Sequence, residues 1–241
     1  CSHSRSCRWC FCWGRPASRR RPDAMLPLFV FSPTRIRSLL LPQEPAVLPQ
    51  LPSIDRKRTA LLLMDFQKLI VDGYAKEGES LPGRTANLLE AARDAGIMVI
   101  YVVVGFRPGY PEVSERNMTF SAVRSSGRFA PDDPTIEIHP AVAPRAAETV
   151  VTKHRVSAFA GTDLDMILRA NGIDTLLLSG IATSGVVLST LRHAADADYR
   201  LFVVGDCCAD SDAEVHRVLL DKVFPRQAVV TEASAIISML A

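Results

Sequence analysis

The stretch IDTLLLSGIATSGVVLSTLRHAAD, residues 173–196, decides how this chain folds. Its first eight residues form a short apolar run without polar alternation, the pattern of a strand buried on both faces of a parallel sheet. From residue 184 the pattern becomes amphipathic with helical spacing. The junction GIATSG therefore reads as a strand turning directly into a helix. Many α/β hydrolytic enzymes place a nucleophile at such a turn, because it exposes one side chain beside free backbone N–H groups. The residues just inside this helix are Gly185, Val186 and Val187, and none of them can attack a substrate.

The same rhythm extends in both directions. TALLLMD (59–65) is a continuous apolar run ending in an acid, and RTANLLEAARDAG (84–96) is an amphipathic helix with Gly96 suited to cap it. IMVIYVVV (97–104) is a second strand. A polar, proline-rich connection follows through about residue 147, and a loop of that length inside a compact domain is more often functional than idle. ETVVTK (148–153) is a third strand, followed by a helix in GTDLDMILRANG, where Thr162 is placed to cap and Asp165 to reach back. After residue 196 come a strand RLFVVGD (200–206), a helix DAEVHRVLLDKVF, a short strand QAVVT and a last helix EASAIISML. Six strands alternating with helices predict one three-layer, doubly wound α/β/α domain of Rossmann-like type, with a six-stranded, mostly parallel sheet over residues 57–241.

The region before it differs in kind. Residues 1–22 carry six arginines and no acid, so the net charge of +2 conceals a mildly acidic body. No basic stripe interleaved with aromatics survives in that body, which argues against nucleic acid as a partner. No run approaches the roughly 20 apolar residues of a membrane span. CRWC (7–10) has zinc-like spacing but no second ligand pair, and the adjacent Cys207 and Cys208 cannot readily bridge each other, as in a reduced cytoplasmic protein. The first methionine is Met25, and MLPLFVFSPTRIRSLLL after it is apolar, arginine-bearing and free of acids; its alternative reading is a mitochondrial transit peptide. Prolines between Pro42 and Pro52 make a linker, so residues 1–56 read as a poorly ordered extension.

In doubly wound sheets, ligands sit beyond the carboxyl ends of the strands. Asp65 ends the first strand, Lys153 the third, and the GIATSG turn the fourth, so a carboxylate, an ammonium and a helix N-terminus converge on one edge. With LLLMDFQ, VVTKHRVSAFAGTDLDMILRANGIDTLLLSGIATSGVVLST and GDCCADSDAEVH, the body resembles the isochorismatase-like superfamily of cysteine hydrolases over residues 57–240. The resemblance implies catalytic roles for Asp65 and Lys153. It further implies substrate contacts from Gln67 and from Ala182, Thr183, Ser184, Gly185 and Val186, a non-proline cis bond between Ile181 and Ala182, and a homodimer or homotetramer.

The family's cysteine usually stands seventh from the start of the last segment, where this chain has Val186. Losing the nucleophile of a triad costs on the order of a millionfold, so thiol catalysis at 186 is excluded. Thr183 and Ser184 point elsewhere on a helix that turns about 100° per residue, and Cys207 reads as a small buried residue. Isochorismatases proper lack the cysteine as well and use the acid to protonate a vinyl ether; they carry glycine at the slot, and here Gly185 is one residue early. The opposite charges of Asp65 and Lys153 favour the ionised form of each, which suits a base more readily than an acid. The family's nicotinamidases hold a metal beginning at a D-x-H near the second strand; VVVGFRPGYPE has no histidine, and His193 and His216 fit polar helix faces, so no metal or other cofactor is expected. The arginines of FRPGYPEVSERN are candidates to meet an anionic ligand. The expected partner is a small molecule, met either by a cofactor-independent hydrolase or by an inactive relative that binds a carboxylate or carbonyl compound.

Overall fold

The computed structural model describes residues 53–74 and 81–241. The arginine-rich lead with its CRWC pair, the stretch after Met25 and the proline linker lie outside the described residues. The strands are β1 (Thr59–Met64), β2 (Met98–Val104), β3 (Thr149–Lys153), β4 (Thr175–Ile181), β5 (Arg200–Ala209) and β6 (Val229–Thr231). They form one sheet in the order β3-β2-β1-β4-β5-β6, and every pairing is parallel, where the sequence predicts mostly parallel. The helices are α1 (Lys68–Tyr74), α2 (Leu81–Asp94), α3 (Met118–Ser126), α4 (Leu164–Ala170), α5 (Leu188–Asp196), α6 (Ala213–Val218) and α7 (Ala233–Leu240).

All six residues of β1 are buried because both faces of the central strand are covered. Side chains alternate across a strand, so Ala60, Leu62 and Met64 join one core, with Leu164, Leu168 and Leu191 of α4 and α5. Leu61 and Leu63 join the other, with Leu88 and Leu89 of α2 and Ile236 and Leu240 of α7. Each such leucine contributes roughly 1.5–3 kcal/mol relative to exposure. This double covering is why the strands read as unbroken apolar runs.

The differences from the sequence reading have local causes. The connection after β2 is not structureless: Asn117 accepts from the Phe120 N–H to start α3, and left-handed Gly127 ends it. Helix α1, seven residues long, leaves too little periodicity to be read. The helix expected from residue 184 opens as a π turn, Thr183–Val187, before α5. The one expected over 212–224 breaks after Val218 into a π turn and a 3-10 turn that carries Pro225. Asp163 stands at the cap position of α4 without a side-chain bond, the Thr162 hydroxyl accepts from the Leu164 N–H (3.3 Å) as expected, and Asp165 pairs with Arg169 four residues on instead of reaching back. Strand β5 runs on through Cys207 and Cys208, because the register against β4 shifts between Leu178 and Gly180 and pairing resumes at Gly180–Cys208. Described residues before 57 already belong to the domain: Asp55 caps the turn Arg56–Arg58, and the Arg56 guanidinium donates to the Leu240 carbonyl.

Candidate active site

The strand order reverses between β1 and β4, and a crevice at the carboxyl ends of the strands is expected at that switch point. Asp65 follows β1 directly. Its N–H donates to the Val102 carbonyl (2.7 Å) and its backbone then turns left-handed, with φ of 61°. Aspartate tolerates that conformation better than most residues, and it swings the carboxyl over the sheet edge. Lys153 comes from β3, two strands away, and reaches across the end of β2 to place Nζ 3.0 Å from Asp65 Oδ2. The ammonium also donates to the Arg155 carbonyl (3.2 Å). Both side chains are buried, and Asp65 Oδ1 has no hydrogen-bond partner.

Burial pushes the Asp65 carboxyl above the usual carboxylate range, although the neighbouring Lys153 pulls it down. The sequence reading weighs the ion pair and expects both groups to be charged unless a bound substrate desolvates Asp65. Desolvation outweighs the pair here because both are buried, so Asp65 binds a proton more readily than an ordinary carboxylate.

The pair faces a cavity of about 530 Å³. The turn after β4 supplies one wall through Ile181, Ala182, Gly185 and Val186, and the Ile181–Ala182 bond is cis. Gly180, just before the turn, is required by close approach: a Cβ there would lie 3.0 Å from both Cβ and the carbonyl oxygen of Met64. The opposite wall and rim come from α3 and the segment after it, through Phe120, Val123, Arg128 and Phe129. A larger cavity, about 630 Å³, opens beside the edge strand β3 and shares only Phe129 with the first. It contains neither Asp65 nor Lys153, so size does not identify the site here.

Of the turn residues expected to meet substrate, Ala182, Gly185 and Val186 line the cavity, and Thr183 and Ser184 do not. The Thr183 hydroxyl lies 2.8 Å from Nδ1 of His216, which is thereby drawn off the open helix face expected for it. The Ser184 N–H donates to Asp210 (2.7 Å), so a protein carboxylate already occupies that backbone donor. Gln67 is also absent from the lining. Its amide mimics a strand pairing with Val104, donating to the carbonyl (2.9 Å) and accepting from the N–H (2.8 Å), and it also donates to the Ile136 carbonyl. Gln67 thus fastens the connection after β2 to the end of that strand.

Cys207 is fully buried outside this cavity, with its thiol pushed up to about 12 by burial, and Cys208 is buried with its thiol raised for the same reason. Neither supplies a thiolate near neutral pH. Among the described residues, no three histidine, cysteine, aspartate or glutamate side chains come together as a metal-holding group. Of the loop arginines proposed for a ligand, Arg107 is committed to Glu112 (2.5 Å) and lines the larger cavity instead, and Arg116 lines neither. The arginine on the rim is Arg128, which the sequence reading misses because nothing local distinguishes it from a solvated surface residue.

A model of the isochorismatase domain matches residues 59–235. Maleamate amidohydrolase of Pseudomonas putida is 31% identical over 172 residues, covering 68% of this chain and 78% of that protein. The phenazine biosynthesis protein PhzD of Pseudomonas fluorescens is 30% identical over 186 residues, covering 76% of this chain and 87% of that protein. Among solved structures, a cysteine hydrolase from Pseudomonas syringae pv. phaseolicola superposes with a TM-score of 0.73 at 27% identity, over 78% of this chain and 95% of that one.

Proposed function

The chain belongs to the isochorismatase family, and on that premise we propose that it hydrolyses a small organic molecule using Asp65 and Lys153, without a thiol nucleophile. The observation that carries the reading is a buried carboxyl group held by Lys153 through one oxygen while the other faces no protein partner. A buried acceptor left unmatched costs free energy, and a substrate that meets it recovers that cost on binding. With its proton affinity raised by burial, Asp65 is suited to act as a general acid. In vinyl ether cleavage the proton passes to carbon, water adds to the oxocarbenium ion, and the adduct separates into a carbonyl compound and an alcohol. In amide hydrolysis, the reaction in the maleamate relative's name, water adds to the carbonyl carbon, the C–N bond breaks as the Asp65 proton passes to the leaving nitrogen, and the proton shed by the water returns to Asp65. In either case the Lys153 ammonium balances the charge left on Asp65.

The test is turnover of a panel of amides and vinyl ethers by the purified protein. Asp65→Asn is expected to lower kcat by about 10²–10⁴-fold, with product binding changed only a few-fold. The wild-type rate is expected to fall as pH rises through the raised Asp65 value, because the acid form is being lost. Turnover that survives Asp65→Asn ends the reading. A second reading, a relative that binds a carboxylate or carbonyl compound without turning it over, is favoured by the aliphatic Val186 in the wall and by Asp210 on the Ser184 N–H. Saturable binding with no turnover across the panel supports it.

A further inference from the structure

We infer that the open edge of β3 is the surface on which two copies of this chain meet: their β3 strands pair antiparallel about a two-fold axis at Val151, with Val150 of each copy opposite Thr152 of the other. The inference concerns assembly and does not rest on the hydrolase reading above.

Backbone N–H and C=O groups alternate in direction from one residue of a strand to the next, so the ladder shows which of them are spare. The Gly105 N–H donates to the Lys153 carbonyl (3.3 Å), and Thr149, Val151 and Lys153 therefore turn their backbone groups toward β2. Val150 and Thr152 turn theirs to the outer side of the sheet, where among the described residues nothing bonds them. No helix or loop of the described domain covers them either. Both residues are exposed, Val150 by 45%, and both line the larger cavity beside the strand.

An uncovered edge is a template for pairing, and folds blunt it with a short strand, a proline, a bulge or an outward charge. The opposite edge of this sheet, β6, is three residues long and half-buried. β3 uses none of these devices. It runs five residues, TVVTK, without proline and in unbroken register with β2, and its one charge, on Lys153, is buried against Asp65. Its two outward residues are β-branched, the type best suited to packing on a paired strand.

The occupant that this pattern fits is a second β3. The outward groups belong to two residues placed symmetrically about Val151, so antiparallel pairing of two copies sets Val150 opposite Thr152 twice. Residues opposed in this way exchange both N–H···O=C bonds, and the outward donors of the two copies meet all the outward acceptors. Such a contact uses the same patch on both partners and closes at two copies. The outward side chains carry no charge, so the copies approach without repulsion between them. A strand pair alone is smaller than the roughly 800 Å² per partner of a standard interface, and Phe129, Pro131 and Ile136 in the cavity wall add apolar surface. The two sheets then form one of twelve strands, and the strand that carries Lys153 ceases to be an edge.

The experiment is analytical ultracentrifugation of the full chain, with amide hydrogen exchange read by NMR, on wild type, Val150→Lys, Thr152→Glu, the double variant and Val150→Pro. Wild type is expected to sediment at twice the 26.3 kDa of one chain, or at a whole multiple of that. Val150→Lys sets two ammonium groups diagonally across the axis and Thr152→Glu two carboxylates, and each is expected to raise the dissociation constant about tenfold or more. In the double variant every lysine faces a glutamate, and the affinity is expected to return to within about threefold of wild type. Val150→Pro deletes an N–H that β2 does not use, so a folded, cooperatively melting protein without this contact is expected. The Thr152 amide is expected to exchange about tenfold faster or more in that variant than in wild type, while the Val151 amide, bonded to β2, stays protected in both. A monomeric wild type, an assembly that Val150→Pro leaves intact, or a double variant no tighter than the single ones overturns the inference. The charge variants decide the matter even where the proline variant does not fold. None of these readouts requires turnover, so the hydrolase reading stands or falls separately on Asp65→Asn.

Discussion

At the scale of single residues, the site turns on Val186. It is 2% exposed to solvent, yet it forms part of the cavity wall, so an electrophile inside the cavity can reach whatever stands there. Val186→Cys removes little volume and is expected to cost about 1 kcal/mol of stability or less. On treatment of the folded variant with iodoacetamide, peptide mapping is expected to show alkylation at 186, with Cys207 and Cys208 protected by burial and by thiols that do not ionise near neutral pH. Protection at 186 equal to that at 207 would show that the side chain does not face an accessible site. The placement of Asp65, Lys153 and Val186 was legible in the sequence, because residue type at a strand end is local information. The positions of Gln67, Thr183 and Ser184 were not: their hydrogen-bond partners lie 37, 33 and 26 residues away, and those bonds turn expected ligand groups into structural ties.

At the scale of elements, Lys153 reaches Asp65 only while β3 keeps its register at the sheet edge, and one buried fork helps to hold it. Arg93 of α2 donates through Nε and a terminal nitrogen to both oxygens of Glu148, each at 2.7 Å, and also to the Tyr101 hydroxyl and the Ala143 carbonyl. The two side chains are 7% and 12% exposed, so removing one strands the other in a poorly solvated place. Arg93→Ala is expected to destabilise the fold by about 3 kcal/mol. Burial pushes the Glu148 carboxyl up, but the hydrogen bonds from Arg93 and from the Arg145 N–H outweigh it and hold it below its ordinary 4.5. A depressed carboxyl contributes stability above its unfolded pKa and loses that contribution as pH falls through the folded one. Denaturant unfolding between pH 6 and pH 3 is therefore expected to show wild type losing stability more steeply than Glu148→Gln. Parallel curves would mean that the fork carries no net stabilisation. None of its partners shares a motif, so it was invisible before the fold.

At the scale of the molecule, the turn Arg56–Arg58 is tied to helix α7 through Arg56 and the Leu240 carbonyl. A protein begun at Ser53 is expected to unfold cooperatively with its Tm within about 2 °C of the full chain's. One begun at Arg58 loses the Asp55 cap and the Arg56 bond, and a fall of about 2–8 °C is expected for roughly 1–2 kcal/mol in a domain of this size. Equal Tm values for the two would show that the domain begins after residue 57. The sequence by itself determined the elements, their parallel arrangement and which strand ends carry an acid, an amine and an aliphatic residue, because each is set by a local period of two or 3.6 and by residue type. Tertiary structure decided the rest: the strand order with its reversal between β1 and β4, the proton affinity of Asp65, the diversion of Gln67, Thr183 and Ser184, and the arrival of Arg128 at the rim. Burial and long-range hydrogen bonding depend on which segments meet, and no local window of sequence contains that information.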